Sequence, residues 1–311
     1  MARTFANMSL IDDLERLSTE AVNPRSASID TMSTIEMLRL INAEDQSVPL
    51  AVAAVLDDVA AVVDAVTEGI QRGGRLLYVG AGTSGRLGVV DASECPPTYG
   101  THPDLVQAII AGGPQAVFRS QEGAEDDSAE GAAAIAERNV GEHDVVVGIA
   151  ASGRTPFVLG ALLEAAQRLA FTAIVSTNPK ADVCERVPFV DAAVCPVVGP
   201  EVVAGSTRMK SGTAQKLVLN MITTAAMVRL GKTYGNIMVD LQLTNAKLVA
   251  RATRIVEVLG QVDRPTAMTL LKDSGGSVKT ALVMAHLHCP RTEAEERLAA
   301  ASGRVRVALH V

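Results

Sequence analysis

The sequence has no tryptophan, and aromatic residues occupy only 3% of its 311 positions. Carbohydrate stacking platforms, base-stacking surfaces and membrane-interface belts are all built from aromatic rings, so each lacks its material here. Any sugar this chain binds must be held by hydrogen bonds. Positive charge is also scarce: 28 Lys and Arg stand against 35 Asp and Glu, a net charge of −7. Binding along a phosphate backbone needs clustered cations on one face, which argues against nucleic acid as a partner and leaves only a local basic pocket for a small anion. Long apolar runs are missing as well, since no window approaches 18 uncharged apolar residues, and no membrane partner or spanning helix is expected. The four cysteines, Cys95, Cys184, Cys195 and Cys289, are widely scattered. The polar start carries no apolar signal core, so a cytoplasmic protein with free thiols is expected.

What is present is an ordinary globular composition, 48% hydrophobic and 20% charged, in a chain long enough for one large domain or two modest ones. Residues 1–48 mix Ser, Thr, Asn and charges around one short helical piece, Ser33 to Ile41, and read as an N-terminal arm. From Pro49 to Gly73, Val52, Val55, Val59, Val62, Val63 and Val66 recur at helical spacing, which predicts one amphipathic helix. Then short β-rich runs alternate with helical segments, at Leu76–Val79, Leu105–Ala111, Asp144–Ala150, Phe171–Ser176 and Phe189–Val197. That alternation predicts a doubly wound α/β domain over 49–245, a parallel five-stranded sheet with helices on both faces. A long helix follows at Met209 to Gly231. Residues 246–311 are strand-poor, turn at Asp273–Ser277, and are expected to form a small helical C-terminal domain.

Ligands of open parallel sheets bind beyond the carboxyl ends of the strands, so the loops there carry the functional reading. Gly80-Ala81-Gly82-Thr83-Ser84-Gly85-Arg86 has the spacing of a dinucleotide loop. Yet the next strand ends Ile110-Ala111-Gly112-Gly113-Pro114, without the acid that would hold a ribose. A tight structural turn is one alternative; a phosphate cradle of backbone amides at a helix start, with Thr83 and Ser84, is the favoured one. Ala150-Ala151-Ser152-Gly153-Arg154-Thr155-Pro156 repeats the pattern, against a plain reading in which Thr155 merely caps a helix and Arg154 is solvated. Two such loops on neighbouring strands favour a sugar phosphate over a larger cofactor. Ser176-Thr177-Asn178-Pro179 reads equally well as a plain turn.

Two carboxylates stand out. Glu94 lies just before Pro96-Pro97, where a helix is expected to stop, which would place it on a rigid loop. Glu125, in Glu122-Gly123-Ala124-Glu125-Asp126-Asp127, belongs to an acid cluster at a helix start, where negative charge is favoured anyway. Lys210, in the hydroxyl-rich stretch Gly205–Thr213, either reaches substrate or is a solvated helix-start lysine. His286-Leu287-His288-Cys289 has the wrong helical spacing for a metal site, and no metal is expected. Neither a Gly-x-Ser-x-Gly elbow nor a Walker sequence is present.

Taken jointly, Gly80–Gly88, Asp91–Gly100, Glu122–Asp126, Ala150–Pro156 and Gly205–Met221 closely resemble the N-acetylmuramic acid 6-phosphate etherases. The likeness runs from about Asn23 to Asn245. It implies a sugar isomerase type sheet, a homodimer, no cofactor, and cleavage of the lactyl ether of a sugar phosphate in recycling or catabolism of cell-wall amino sugar. By motif position it implies Glu94 and Glu125 as the catalytic pair, with Gly82, Thr83, Ser84, Ser93, Ser152, Gly153, Thr155 and Lys210 around the substrate. A non-catalytic, sugar-phosphate-responsive regulator of the same fold is the alternative, and it would need the phosphate loops but not the acid pair.

Overall fold

The computed structural model describes residues 17–310 apart from Gln242 and Thr244. Two compact units make up the chain, Met1–Ala92 with Val106–Ile222, and Ser93–Leu105 with Thr223–Val311.

In the first unit, strands β1 (Leu76–Gly80), β2 (Val106–Ile110), β3 (Val145–Ile149), β4 (Phe171–Val175) and β5 (Ala192–Val194) form one parallel sheet. Their order is β2-β1-β3-β4-β5, the predicted five-stranded doubly wound sheet. β1 and β3 are buried at every position, which is why they read as unbroken apolar runs rather than alternating ones. Gly80 pairs with both Ile110 and Ile149, so the carboxyl ends of the three strands lie level. The chain leaves β1 for β2 on one side and leaves β3 for β4 on the other. That reversal opens the crevice where open α/β sheets bind ligands.

Helices α1 (Thr34–Asp45), α2 (Val48–Ala53) and α3 (Leu56–Gln71) precede the sheet. The single helix expected over Pro49–Gly73 is thus two. Asp57 and Asp58 fall in the first turn of α3, where the helix dipole favours them, and the valines at 59, 62, 63 and 66 are buried as their spacing predicts.

Helix α4 (Gly82–Tyr99) corrects a second expectation, because it passes through Pro96-Pro97 instead of stopping there. The two prolines lack the N–H groups that would have bonded the carbonyls of Ala92 and Ser93, and their rings crowd those carbonyls. Since both sit in the last turn, the helix loses those two bonds and still closes, with the Gly100 amide donating to Pro96 O at 2.9 Å. Glu94 is therefore an exposed helical residue, not part of a rigid loop.

The remaining helices of the first unit are α5 (Gln115–Phe118), α6 (Ser128–Glu137), α7 (Pro156–Gln167) and α8 (Lys180–Arg186). α7 buries Phe157, Val158, Ala161, Leu162 and Ala165 in one apolar cluster with Leu77, Val79, Val146 and Ile174 of the sheet. Helix α9 (Lys210–Arg229) contributes residues to both units.

The second unit holds a two-stranded antiparallel ribbon, β6 (Thr233–Tyr234) and β7 (Ile237–Met238). It also holds helices α10 (Ala246–Leu259), α11 (Arg264–Asp273), α12 (Val278–Leu287), α13 (Arg291–Ala300) and α14 (Val305–Ala308). Asn245, Asp263 and Ser277 cap α10, α11 and α12 by accepting from Leu248, Thr266 and Thr280 amides. Ala252, Val256, Leu282, Val283 and Leu298 form its own core. Among the described residues, no helix is long and apolar enough to cross a membrane.

Candidate active site

A cleft of about 520 Å³ opens at the carboxyl ends of β1 and β3, within the first unit. Its volume falls in the range of roughly 300–1,000 Å³ usual for small-molecule sites. Ala81, Gly82, Thr83 and Ser84 form one wall. The last three already belong to the first turn of α4, whose unpaired amides and dipole favour an anion. α4 is anchored to the sheet by the Tyr78 hydroxyl, which donates to Asp91 Oδ2 at 2.9 Å. The Ser84 hydroxyl donates to Gln215 Oε1 at 2.9 Å.

Ala150, Ala151, Ser152, Arg154, Thr155 and Pro156 form the facing wall. Here a second helix start, that of α7, meets the same cleft. Thr155 occupies the N-cap position with Pro156 after it, but its side chain makes no capping hydrogen bond. The plain reading, in which that hydroxyl is consumed as a cap, therefore does not describe this loop. Gly153 is buried and supports the wall from behind: its φ of +68° is a left-handed value that favours glycine, and its amide donates to Ala150 O at 2.9 Å.

The third loop is scaffold. Ser176, Thr177 and Asn178 are buried, and all three side chains donate to the single carbonyl of Ala151, at 2.9, 3.2 and 2.9 Å. They hold the turn that carries Ser152.

Glu125 lies on a 3-10 turn, Ala124–Asp126, and is exposed at the cleft. It also lines an adjoining cavity of about 150 Å³ together with Arg86 and Glu122. Asp127 ends the acid cluster as the N-cap of α6, accepting from the Glu130 amide at 2.9 Å. What brings this segment to the cleft is the close packing of α6 on α7. A Cβ on Gly131 would come within 2.0 Å of Phe157 O, and one on Gly160 within 2.0 Å of Ser128 O, so the two helices approach where only glycine fits.

Lys210 departs from the expected position. It is 2% exposed, and its ammonium donates to Glu44 Oε2 at 2.7 Å. Glu44 also accepts from Asn23 Nδ2 and pairs with Arg25, both at 2.9 Å. The buried Glu201 carboxylate caps α9 by accepting from the amides of Lys210 and Ser211, each at 2.9 Å. Lys210 is neither solvated nor in the cleft, because the arm supplies a buried carboxylate that a linear reading could not pair with it. Ser93 and Glu94 are exposed on α4, within the second unit.

The cleft also contains residues that the motifs did not indicate. Leu17, Thr19 and Glu20 of the arm line it, beside Gly205 and Thr207 of the hydroxyl-rich stretch already singled out. The arm is tied down by Ser18, whose amide and hydroxyl both donate to Asn178 Oδ1 at 2.9 Å. Only long-range contact reveals this role.

The family model described as the glucokinase regulatory protein N-terminal SIS domain matches residues 58–166. The N-acetylmuramic acid 6-phosphate etherase of Salinibacter ruber is 56% identical over 310 residues, covering 99% of each chain. The corresponding protein of Klebsiella aerogenes is 52% identical over 96% of this chain and 98% of its own. N-acetylmuramic acid 6-phosphate etherase 2 of Vibrio parahaemolyticus is 53% identical over 96% and 98%. Identity above one half along almost the whole length, over a sheet whose two glycine- and hydroxyl-rich loops meet at one cleft, places this chain in the N-acetylmuramic acid 6-phosphate etherase family.

Proposed function

We propose that the protein cleaves the D-lactyl ether of N-acetylmuramic acid 6-phosphate with water, releasing N-acetylglucosamine 6-phosphate and D-lactate. The observation that carries this reading is the end-to-end identity with relatives bearing the etherase name. The cleft supports it chemically. Two helix starts and the hydroxyls of Thr83, Ser84, Ser152 and Thr155 suit a phosphate and sugar hydroxyls, and the chain offers no aromatic platform in their place.

An unactivated ether is a poor leaving group, so direct displacement by water would be slow. Opening the sugar ring changes the problem, because the C2 proton then lies α to an aldehyde and the lactyl oxygen on C3 lies β to it. A carboxylate removes the C2 proton; a carboxylic acid gives a proton to the lactyl oxygen as the C3–O bond breaks. Water then adds at C3 of the unsaturated aldehyde while C2 regains a proton, which restores both catalytic groups. The balance closes with water alone and calls on neither metal nor nucleotide. We assign Glu94 as the acid and Glu125 as the base by motif position, with the phosphate loops orienting the ether through contacts remote from it. Formally this is a carbon–oxygen lyase step followed by hydration. A homodimer, a cytoplasmic setting and a place in cell-wall amino sugar recycling or catabolism belong to the same reading.

The test is incubation with N-acetylmuramic acid 6-phosphate and assay of D-lactate, repeated in heavy water. Lactate release with solvent deuterium at C2 of the product is expected. Release without deuterium would replace elimination by displacement. Tight binding without any lactate would instead favour the regulator.

A further inference from the structure

The side chain of Gln215, on α9, is 1% exposed and makes one hydrogen bond, accepting at Oε1 from the Ser84 hydroxyl, while its Nε2 is buried without a partner. A buried N–H group without an acceptor is rare in folded proteins, rarer than an under-used carbonyl oxygen. The arrangement also leaves Ser84 with its only proton directed away from the cleft, able to offer nothing but lone pairs. A phosphate dianion needs the reverse, since all its oxygens accept.

Both deficits are removed by one movement. Turning the Gln215 amide over about its last torsion puts Nε2 where Oε1 now sits. Nε2 then donates to Ser84 Oγ, and the Ser84 proton is released toward the cleft. The orphaned donor gains an acceptor, and the oxygen that takes its place is the less costly group to leave idle. With an anion present, the freed proton makes a charge-assisted bond stronger than the neutral one it leaves. A donor chain from amide to hydroxyl to phosphate also polarises the hydroxyl in the useful direction.

We propose that Gln215 is a positioning residue for the phosphate group, a two-state amide that turns over on binding and converts Ser84 from an acceptor to a donor at the anion. This rests on the reading of the Thr83–Ser84 turn as the phosphate subsite. It adds a residue that does not line the cleft and acts only through Ser84.

Inorganic phosphate, assayed as a competitive inhibitor of lactate release, is the probe. Ser84→Ala should raise its Ki roughly 10- to 100-fold, the worth of a hydrogen bond to a charged group. Gln215→Met, close in size and without polar atoms, should raise Ki about 3- to 10-fold, with KM rising in step and kcat nearly unchanged. The double variant should be no weaker than Ser84→Ala alone, because Gln215 has no route to the phosphate once the hydroxyl is gone. An unchanged or lower Ki for Gln215→Met, or additive effects in the double variant, overturns the proposal while leaving the subsite intact. An unchanged Ki for Ser84→Ala removes the subsite, and the proposal with it. Should Gln215→Met fail to fold, Gln215→Glu carries the test. Its Ki relative to the native protein should climb as pH rises through the titration of the new carboxyl, since the ionised group only accepts and retains the Ser84 proton. A ratio independent of pH refutes the switch.

Discussion

Replacing Glu94 by glutamine should lower the turnover of lactate release by roughly 10²- to 10⁴-fold, the scale of a lost general acid, while KM changes little. Glutamine keeps the shape and hydrogen-bonding reach of the side chain but has no acidic proton to give the departing lactyl oxygen. Its position makes the experiment clean. Glu94 is exposed on α4 and is not a buried member of the fold, and exposed substitutions usually stay within about 0.5 kcal/mol of native stability. A fall in turnover therefore reports chemistry and not unfolding, provided thermal melting is measured alongside. Glu125→Gln should do the same from the other side, suppressing proton removal at C2. If Glu94→Gln turns over at the native rate, Glu94 is not the acid.

The second large effect lies outside the cleft. Lys210→Met should destabilise the protein by about 3–5 kcal/mol, the usual cost of removing one partner from a buried ion pair. Methionine fills the space of the aliphatic stem, so most of the loss comes from stranding the Glu44 carboxylate. The value should fall toward the lower end, because Asn23 and Arg25 still contact that carboxylate. Burial pushes the Glu44 carboxyl upward, but its hydrogen bonds to Lys210 and Asn23, with the charges of Lys210 and Arg25, outweigh this and hold it below the ordinary value of 4.5. A carboxyl depressed in the folded state stabilises fully above its unfolded value and loses that contribution as pH falls through the folded one. The gap between native protein and Lys210→Met should accordingly be widest at neutral pH and narrow as pH drops below 4.5. Denaturant unfolding at a series of pH values measures it. A gap under about 1 kcal/mol at neutral pH, the size of an exposed pair, would mean the bridge contributes little. Altered KM with unaltered stability would return Lys210 to the substrate.

Much of the sheet was legible because its signals are local. β1, β3 and β4 are short, mostly apolar runs that lead into glycine- or hydroxyl-bearing loops, as strands buried on both faces are expected to read. The loops after β1 and β3 were legible for the same reason, since a helix start that leaves room for an anion needs glycine and hydroxyls at fixed offsets. Proline misled at α4. Pro96 and Pro97 each delete one helical bond, yet both fall in the last turn, where little helix remains to be disrupted, and the sequence does not reveal how far a helix has still to run. Lys210 misled for a different reason: its partner Glu44 is 166 residues away, and charge pairing at that range leaves no periodicity to detect.

By itself the sequence determined the class of the fold, the two hydroxyl-rich loops, the exclusion of aromatic sugar platforms, and a family likeness specific enough to carry a reaction. Only the tertiary structure decided which of those residues share a cleft. It brought Thr83 and Ser84 to the same space as Ser152 and Thr155, added Thr19 and Glu20 from the arm, and withdrew Lys210 into the interior. It also placed the Gln215 amide behind Ser84. The physical reason is that backbone preferences act over a few residues, whereas burial and hydrogen-bond satisfaction are settled only when distant segments meet and exclude water from between them.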